Sequence, residues 1–257
     1  PLMQWMACGA ISVVTLRHGL REGTFVMIVT LAPHLVMFTM TPNPNLLAVL
    51  IPLQTAILAG ALRQYRSWQL TVVGAPVLGA VLILLTHLVA PIAIEAPLLL
   101  ASELTGRDLL AEPGTYERML PLFAFLITGA SLTFLALGRW WQSVLFNPGG
   151  FASEFQALRL SPRTAATIIL AIGLCIVLLP GSYSLWFLPL TLPLVFAAVG
   201  LMHFVVNQRG LGSGPLVAYY IILVMGLMTL VLLPFLLLPA VLDSFFDLRR
   251  RMKPNDE

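Results

Sequence analysis

Charge is scarce in this sequence. Only 10% of its 257 residues are Asp, Glu, Lys or Arg, where a soluble domain carries about 25%. Its one lysine is Lys253, so there is no Walker lysine. GLGSG at 210–214 shares only glycine content with a phosphate loop; it follows an apolar segment instead of a strand and reads as a turn. Cysteine is nearly absent as well. Cys8 and Cys175 lie in apolar stretches, form no CxxC pair, and read as small buried hydrophobes. Neither HExxH nor GxSxG occurs, and the long apolar segments hold no carboxylate pair for a proton relay. His34 and His87 have no second histidine at i+3 or i+4, so no metal site is expected. No catalytic residue and no cofactor are expected either, and the chain does not read as an enzyme. The net charge of +3 comes from arginines beside apolar segments, where membrane orientation explains them. No basic face interleaved with aromatics exists, so nucleic acid is excluded as a partner.

Long hydrophobic runs dominate what remains. Hydrophobic residues make up 59% of the chain and the mean hydropathy is +0.94. A soluble fold of this size leaves too much surface exposed to hide them. Lipid leaves open sheet edges unsatisfied, so the expected fold is all-α, a polytopic integral membrane bundle in one domain over 1–257. A span needs about 20 apolar residues. Eight hydrophobic segments qualify as candidates: 3–17, 24–40, 44–62, 68–92, 119–138, 164–180, 184–206 and 214–242. Asn43-Pro44 and Ser161-Pro162 each place a capping residue before a proline at the first helical position. PGSYS at 180–184 reads as a short turn. Pro33, Pro52, Pro76, Pro189, Pro193 and Pro234 predict kinks.

The loops alternate in charge. Arg17 with Arg21, Arg63 with Arg66, and the 139–163 loop with Arg139, Arg159 and Arg163 read as cytoplasmic, and the acid-rich segment 93–118 as external. Eight full crossings would then place the basic tail, 249–257, outside. Either 164–180 or 184–206 does not cross, or the tail is external and held by Asp243 and Asp247; the cytoplasmic tail is the preferred reading. FASEFQALRL at 151–160 puts Phe151, Phe155 and Leu158 on one face and is expected to lie along the cytoplasmic surface.

Few polar residues interrupt the spans: Gln54, His34, His87, His203 and Asn207. His203 and Asn207 are four apart and share a face, with Gly200 near it and Tyr219 and Tyr220 on the next segment. They are the candidate ligand-binding residues, lining a polar pocket or joining helices by hydrogen bonds. The small-residue pairs Ala56 with Gly60 and Ala75 with Gly79 allow close helix packing. The last charged run, VLDSFFDLRRRMK, closes a stretch with no charged side chain, 210–242. Asp243 and Asp247 are four apart, and Asp247 precedes Arg250 and Arg251 by three and four, the acid-first order. Asp243 lies deepest and requires a specific partner: Arg249 or Arg250 reaching back, or Arg139 or Arg209. Asp243, Asp247, Arg249, Arg250 and Arg251 are therefore expected to anchor the last helix and present a basic patch to lipid headgroups or a protein partner.

The stretches FASEFQALRLSP, GLMHFVVNQRGLGSG and LLPAVLDSFFDLRRR, with the early VVTLRHGLREG, resemble the YybS-like family of bacterial membrane proteins. The family-like positions are Gly200, His203, Asp243, Arg249 and Arg250. The resemblance covers most of the chain and implies a further hydrophobic segment before Pro1. It also implies a location in the bacterial inner membrane and an S-component-like fold, similar to the substrate-binding subunits of energy-coupling-factor transporters. Two functions follow as expectations. One is a small-molecule-binding transport subunit working with a protein partner, since the chain has no ATP-binding motif. The other is a non-catalytic structural or assembly subunit, in the manner of the rod-shape protein MreD.

Overall fold

The computed structural model describes residues 2–40 and 46–252. Among them the chain is helical throughout, with no strand: α1 (Leu2–His18), α2 (Leu20–Met40), α3 (Leu46–Tyr65), α4 (Trp68–Val89), α5 (Ile92–Thr105), α6 (Thr115–Phe146), α7 (Gly150–Gln156), α8 (Pro162–Leu178), a 3₁₀ turn (Gly181–Trp186) running into α9 (Phe187–Gln208), α10 (Gly214–Thr229), α11 (Leu233–Phe246) and α12 (Leu248–Met252). Four stretches are long and apolar enough to cross a membrane: Leu47–Tyr65, Trp68–Val89, Thr115–Phe146 and Gly181–Gln208. Shorter apolar helices are α8, α10 and α11.

Local chemistry explains most boundaries. Ser67 caps α4 by accepting from the Leu70 amide at 3.2 Å, and Ser161 caps α8 by accepting from Thr164, with Pro162 at the first position. The cap expected at Asn43-Pro44 lies outside the described residues. A single residue, Gly19, links α1 to α2 at φ +104, a conformation that favours glycine. Prolines at 33, 52, 76, 97, 121, 193 and 239 sit inside helices. Pro189 lies in the first turn of α9 and Pro234 in the first turn of α11, so neither kinks a helix interior.

The bundle is organised around α9. Its apolar window is 72% buried inside the protein, against 28% for α4, so α9 is central and α4 peripheral. Large apolar side chains such as Val77, Leu84, Leu170, Val177, Ile221 and Met228 face outward, far more apolar surface than a soluble monomer exposes. Gln54 is fully buried and ties three helices together, its Nε2 donating to Ala75 O at 2.9 Å and Thr128 Oγ1 at 3.3 Å. The small-residue pairs serve this internal packing: Gly60 lies against Leu20 of α2, and Gly79 against Thr128 of α6. A methyl group on Gly79 would sit 2.1 Å from Thr128 Oγ1 and 3.2 Å from Ala124 O. Gly79→Ala is therefore expected to cost about 1–3 kcal/mol, read as a lower melting temperature in detergent. Gly74→Ala, whose added methyl meets nothing within 4 Å, is the control and leaves melting unchanged.

Three expectations are corrected. Segment 214–242 is not one span but a helical hairpin, α10 and α11, of 16 and 14 residues. The break falls at Leu230, which turns to φ +57 while its amide bonds Gly226 O. A proline ring clashes with the carbonyl four residues earlier, which for Pro234 is Leu230. Segment 151–160 does not lie flat on a surface. Phe155 and Leu158 are buried and Phe151 half-buried in the main core, so α7 is a wedge driven between α6 and α9. Segment 93–118 is largely helix, with Ala93, Ile94, Ala96 and Leu98 of α5 buried.

Antiparallel packing gathers opposite charges at opposite ends. Arg63 donates to Leu16 O, Trp68 to Glu154, Arg139 to Glu154, and Gln69 to Thr164, which places the α1–α2, α3–α4 and α6–α8 connections together. At the other end Arg118 donates to Ser182 and His87 bonds Tyr116 Oη at 2.6 Å, beside the acid-rich region after α5. His34 bonds within its own helix, at Thr30 O.

Candidate functional site

An apolar cavity of about 790 Å3 lies between α6, α7, α9 and α10. Small residues create it. Gly129, Thr133 and Ala136 follow at i, i+4 and i+7 along one face of α6, and opposite them stand Leu192, Phe196 and Val199 of α9. Aromatic rings of Phe151 and Phe155 close one end. Leu126, Trp140, Tyr220 and Met228 at the rim are exposed, so the cavity opens sideways, on the flank where lipid would lie.

Its polar end is built by α9 and α10. His203 and Tyr220 share a hydrogen bond of 2.8 Å between Nε2 and Oη. The Phe155 ring stands edge-on to the imidazole, with centroids 6.0 Å apart. Among the described residues no Asp, Glu, Lys or Arg lines the cavity. The pair can offer one donor or acceptor to a ligand.

The four candidate ligand residues divide. His203 and Tyr220 line the cavity. Asn207 lies one turn further along α9, where its Nδ2 donates to Gln156 Oε1 at 3.1 Å. Tyr219 points away, buried in the core at 8% exposure, its hydroxyl with no hydrogen-bond partner among the described residues. The expected polar pocket is thus mostly apolar, with a polar pair at one end. Gln156 and Phe155 of α7 complete that end. Sequence reading had placed them on a surface helix, and only the burial of α7 reveals them.

Beside this end sits a buried charge cluster. The helix expected to run through the final arginines stops at Phe246. Asp247 takes φ +51 and α12 turns back, which carries Arg249 under α11. Arg249 is 7% exposed and Asp243 2%. Arg249 Nε donates to Asp243 Oδ2 at 2.8 Å, and its backbone amide reaches Oδ1 at 3.4 Å. Its remaining nitrogens donate to carbonyls on two other elements: Gln156 O, Leu158 O at 2.6 Å, and Ala197 O at 3.5 Å. Burial pushes the Arg249 guanidinium down from its ordinary value, and the Asp243 carboxylate opposes that. Arginine stays charged in proteins in any case. One turn beyond Ala197, Gly200 lets the α7 end approach: an added Cβ would lie 2.6 Å from Phe155 O.

Of the five anchor residues, Arg249 and Asp243 therefore form the lock. Asp247 pairs with Arg159 at 3.0 Å instead of with Arg250 or Arg251, because the chain leaves the helix at Asp247 itself. Arg159 also donates to the carbonyls of Asp243 and Ser244. Arg250 and Arg251 are exposed and have no ion pair among the described residues. Of the other partners considered for Asp243, Arg139 is engaged by Glu154. Among the described residues no group of three His, Cys, Asp or Glu could hold a metal ion.

Comparison with protein-family models, with curated proteins and with solved structures finds no match for this chain. The class that the fold defines is an all-helical bundle with the composition of a membrane protein.

Proposed function

We propose that the chain is a multi-pass protein of the bacterial inner membrane, and that its sideways-opening cavity binds a small amphipathic molecule, with an apolar body and one hydrogen-bonding group. In this reading it serves as a transport subunit similar to an S component, working with a membrane partner that supplies energy. The observation that carries the proposal is the cavity: about 790 Å3, inside the roughly 300–1,000 Å3 of small-molecule sites, apolar along its length and polar at the His203–Tyr220 end. The YybS-like resemblance belongs to the same proposal. Four of its positions, Gly200, His203, Asp243 and Arg249, converge where α7, α9 and α12 meet.

The arginine-rich end faces the cytoplasm in this reading, following the bias of short loops, and the acid-rich end faces out. The hairpin of α10 and α11 removes the conflict posed by eight crossings. At roughly 1.5 Å per residue its arms are about 24 and 21 Å long, and they return the tail to the end they left. Neither 164–180 nor 184–206 then has to be the segment that fails to cross.

Native mass spectrometry of protein extracted in mild detergent tests the ligand. A small molecule is expected to co-purify and to be lost in Gly129→Phe. The first atom of that side chain meets only Leu192, at 3.6 Å, so the ring fills the cavity without a backbone clash. His203→Leu is expected to lower retention with little change in melting, since its one hydrogen bond is worth about 0.6 kcal/mol between membrane helices. The same open flank also fits a scaffold subunit whose partner lays a helix in the groove. A protein that co-purifies and is expelled by Gly129→Phe would establish that second reading, and a cavity empty of both would end the proposal.

A further inference from the structure

Behind α7, at the arginine-rich end, lies a second cavity of about 540 Å3. The ends of α1, α3 and α6, the start of α4, and α7 wall it, and Arg63, Arg66, Arg139, Trp68, Gln142 and Glu154 line it. Trp68 stands between the two cavities, its ring 6.1 Å from Phe151 and 6.2 Å from Phe155, which line the apolar one.

Three arginines here face one carboxylate. Arg139 takes it in a two-pronged pair, Nε to Oε2 at 3.1 Å and a second nitrogen to Oε1. Trp68 Nε1 donates a further bond to Oε2 at 3.3 Å. Glu154 is thereby committed, and Arg63 and Arg66 have no carboxylate partner among the described residues. Arg63 donates once, to Leu16 O at 2.6 Å. The Arg66 side chain makes no hydrogen bond among the described residues, and its backbone sits at φ +50, a conformation uncommon outside glycine.

Arg63 and Arg66 are both exposed at this cavity, and an anion entering it meets two guanidinium groups with no carboxylate of their own among the described residues. Their planar donor forks match the paired oxygens of an oxyanion such as phosphate, which a halide lacks. Basic pockets between membrane helices at the arginine-rich side are sites for phosphate head groups. We propose that this cavity binds a phosphate group through Arg63 and Arg66, carried by an anionic phospholipid or by a small phosphate ester. The inference stands apart from the apolar cavity and survives if that cavity proves empty.

The full chain in neutral detergent is titrated with dioleoylphosphatidylglycerol in mixed micelles, with dioleoylphosphatidylcholine as the uncharged control, and separately with glycerol 3-phosphate. Native mass spectrometry and the melting shift read binding. Phosphatidylglycerol or glycerol phosphate is expected to bind saturably. Arg66→Gln weakens it about fivefold and Arg63→Gln with Arg66→Gln about twenty-five-fold, the effect of one and two arginines near a phosphate surface. The charge-matched pair Arg163→Gln with Arg209→Gln leaves it unchanged. Saturation by glycerol phosphate, with the same arginine dependence, identifies a soluble ester as the source; saturation by the lipid alone identifies a headgroup. Equal loss in both arginine pairs reduces the effect to diffuse surface charge and overturns the site, as does a lack of saturable binding of either probe. Arg66→Gln breaks no hydrogen bond of the described structure, so it keeps the test open if the double variant fails to fold.

Discussion

Arg249→Met is expected to destabilise the protein by about 3–5 kcal/mol, the cost of leaving a buried ion without its partner. The side chain removed is 7% exposed, and the carboxylate it abandons, Asp243, is 2% exposed. Three backbone carbonyls, of Gln156, Leu158 and Ala197, lose a donor at the same time. Unfolding in mixed detergent micelles measures the loss, with Arg250→Met as the control because Arg250 is exposed and has no ion pair among the described residues. Asp243→Leu combined with Arg249→Met is expected to regain part of it, since the stranded charge is gone, but not all, since the carbonyls of Gln156 and Leu158 still lack the arginine donor. Asp247→Asn, which removes the charge from the half-exposed pair with Arg159 and keeps a residue that tolerates φ +51, is expected to cost about 0–1 kcal/mol. If Arg249→Met melts with Arg250→Met, the lock does not exist and the cluster is a solvated tail.

The second large effect is all-or-none. In a background with Cys8→Ala and Cys175→Ala, single cysteines are placed at exposed positions Gln64, Ser213, Arg251 and Ala111. An impermeant thiol reagent added to intact cells is expected to label only the one at Ala111. The end of α9 and the residues after α11 meet at α7, where Asn207 donates to Gln156 Oε1 and Arg249 to Gln156 O, and Gln64 follows Arg63, which lines the cavity beside α7. Labelling at Arg251 together with Ala111 would mean that 214–246 crosses once, which the hairpin forbids.

The anchor expected in the final charged run was legible in part. A carboxylate next to so long an apolar run cannot remain unpaired, so the need for a partner to Asp243, and Arg249 as one of four candidates, follows from sequence. Which candidate wins does not, because Arg249 reaches Asp243 only after the chain leaves the helix at Asp247. His203 and Tyr220 were legible as polar interruptions near one another. Their cavity was not, because it arises from a small-residue face of α6 more than fifty residues away in the chain, opposite α9. The basic pocket was equally hidden: its arginines look like ordinary loop charges until antiparallel packing brings three loops together.

Composition alone determined that the chain is helical and built for an apolar surround. In lipid every backbone group must be satisfied within the protein, which helices and closed barrels achieve, and uninterrupted apolar runs of about 20 residues fit helices and not the alternating strands of a barrel. Tertiary structure decided which prolines interrupt a helix. Seven sit inside helices, and Pro234 follows a break. At that break Gly226 brings α10 so close to α11 that an added Cβ would lie 2.3 Å from Leu236. A straight helix would forgo this contact and carry Asp243 away from Arg159 and the α7 carbonyls. Sequence sets the local cost of each proline, but the burial of a distant charge pair selects the one at which the chain turns back.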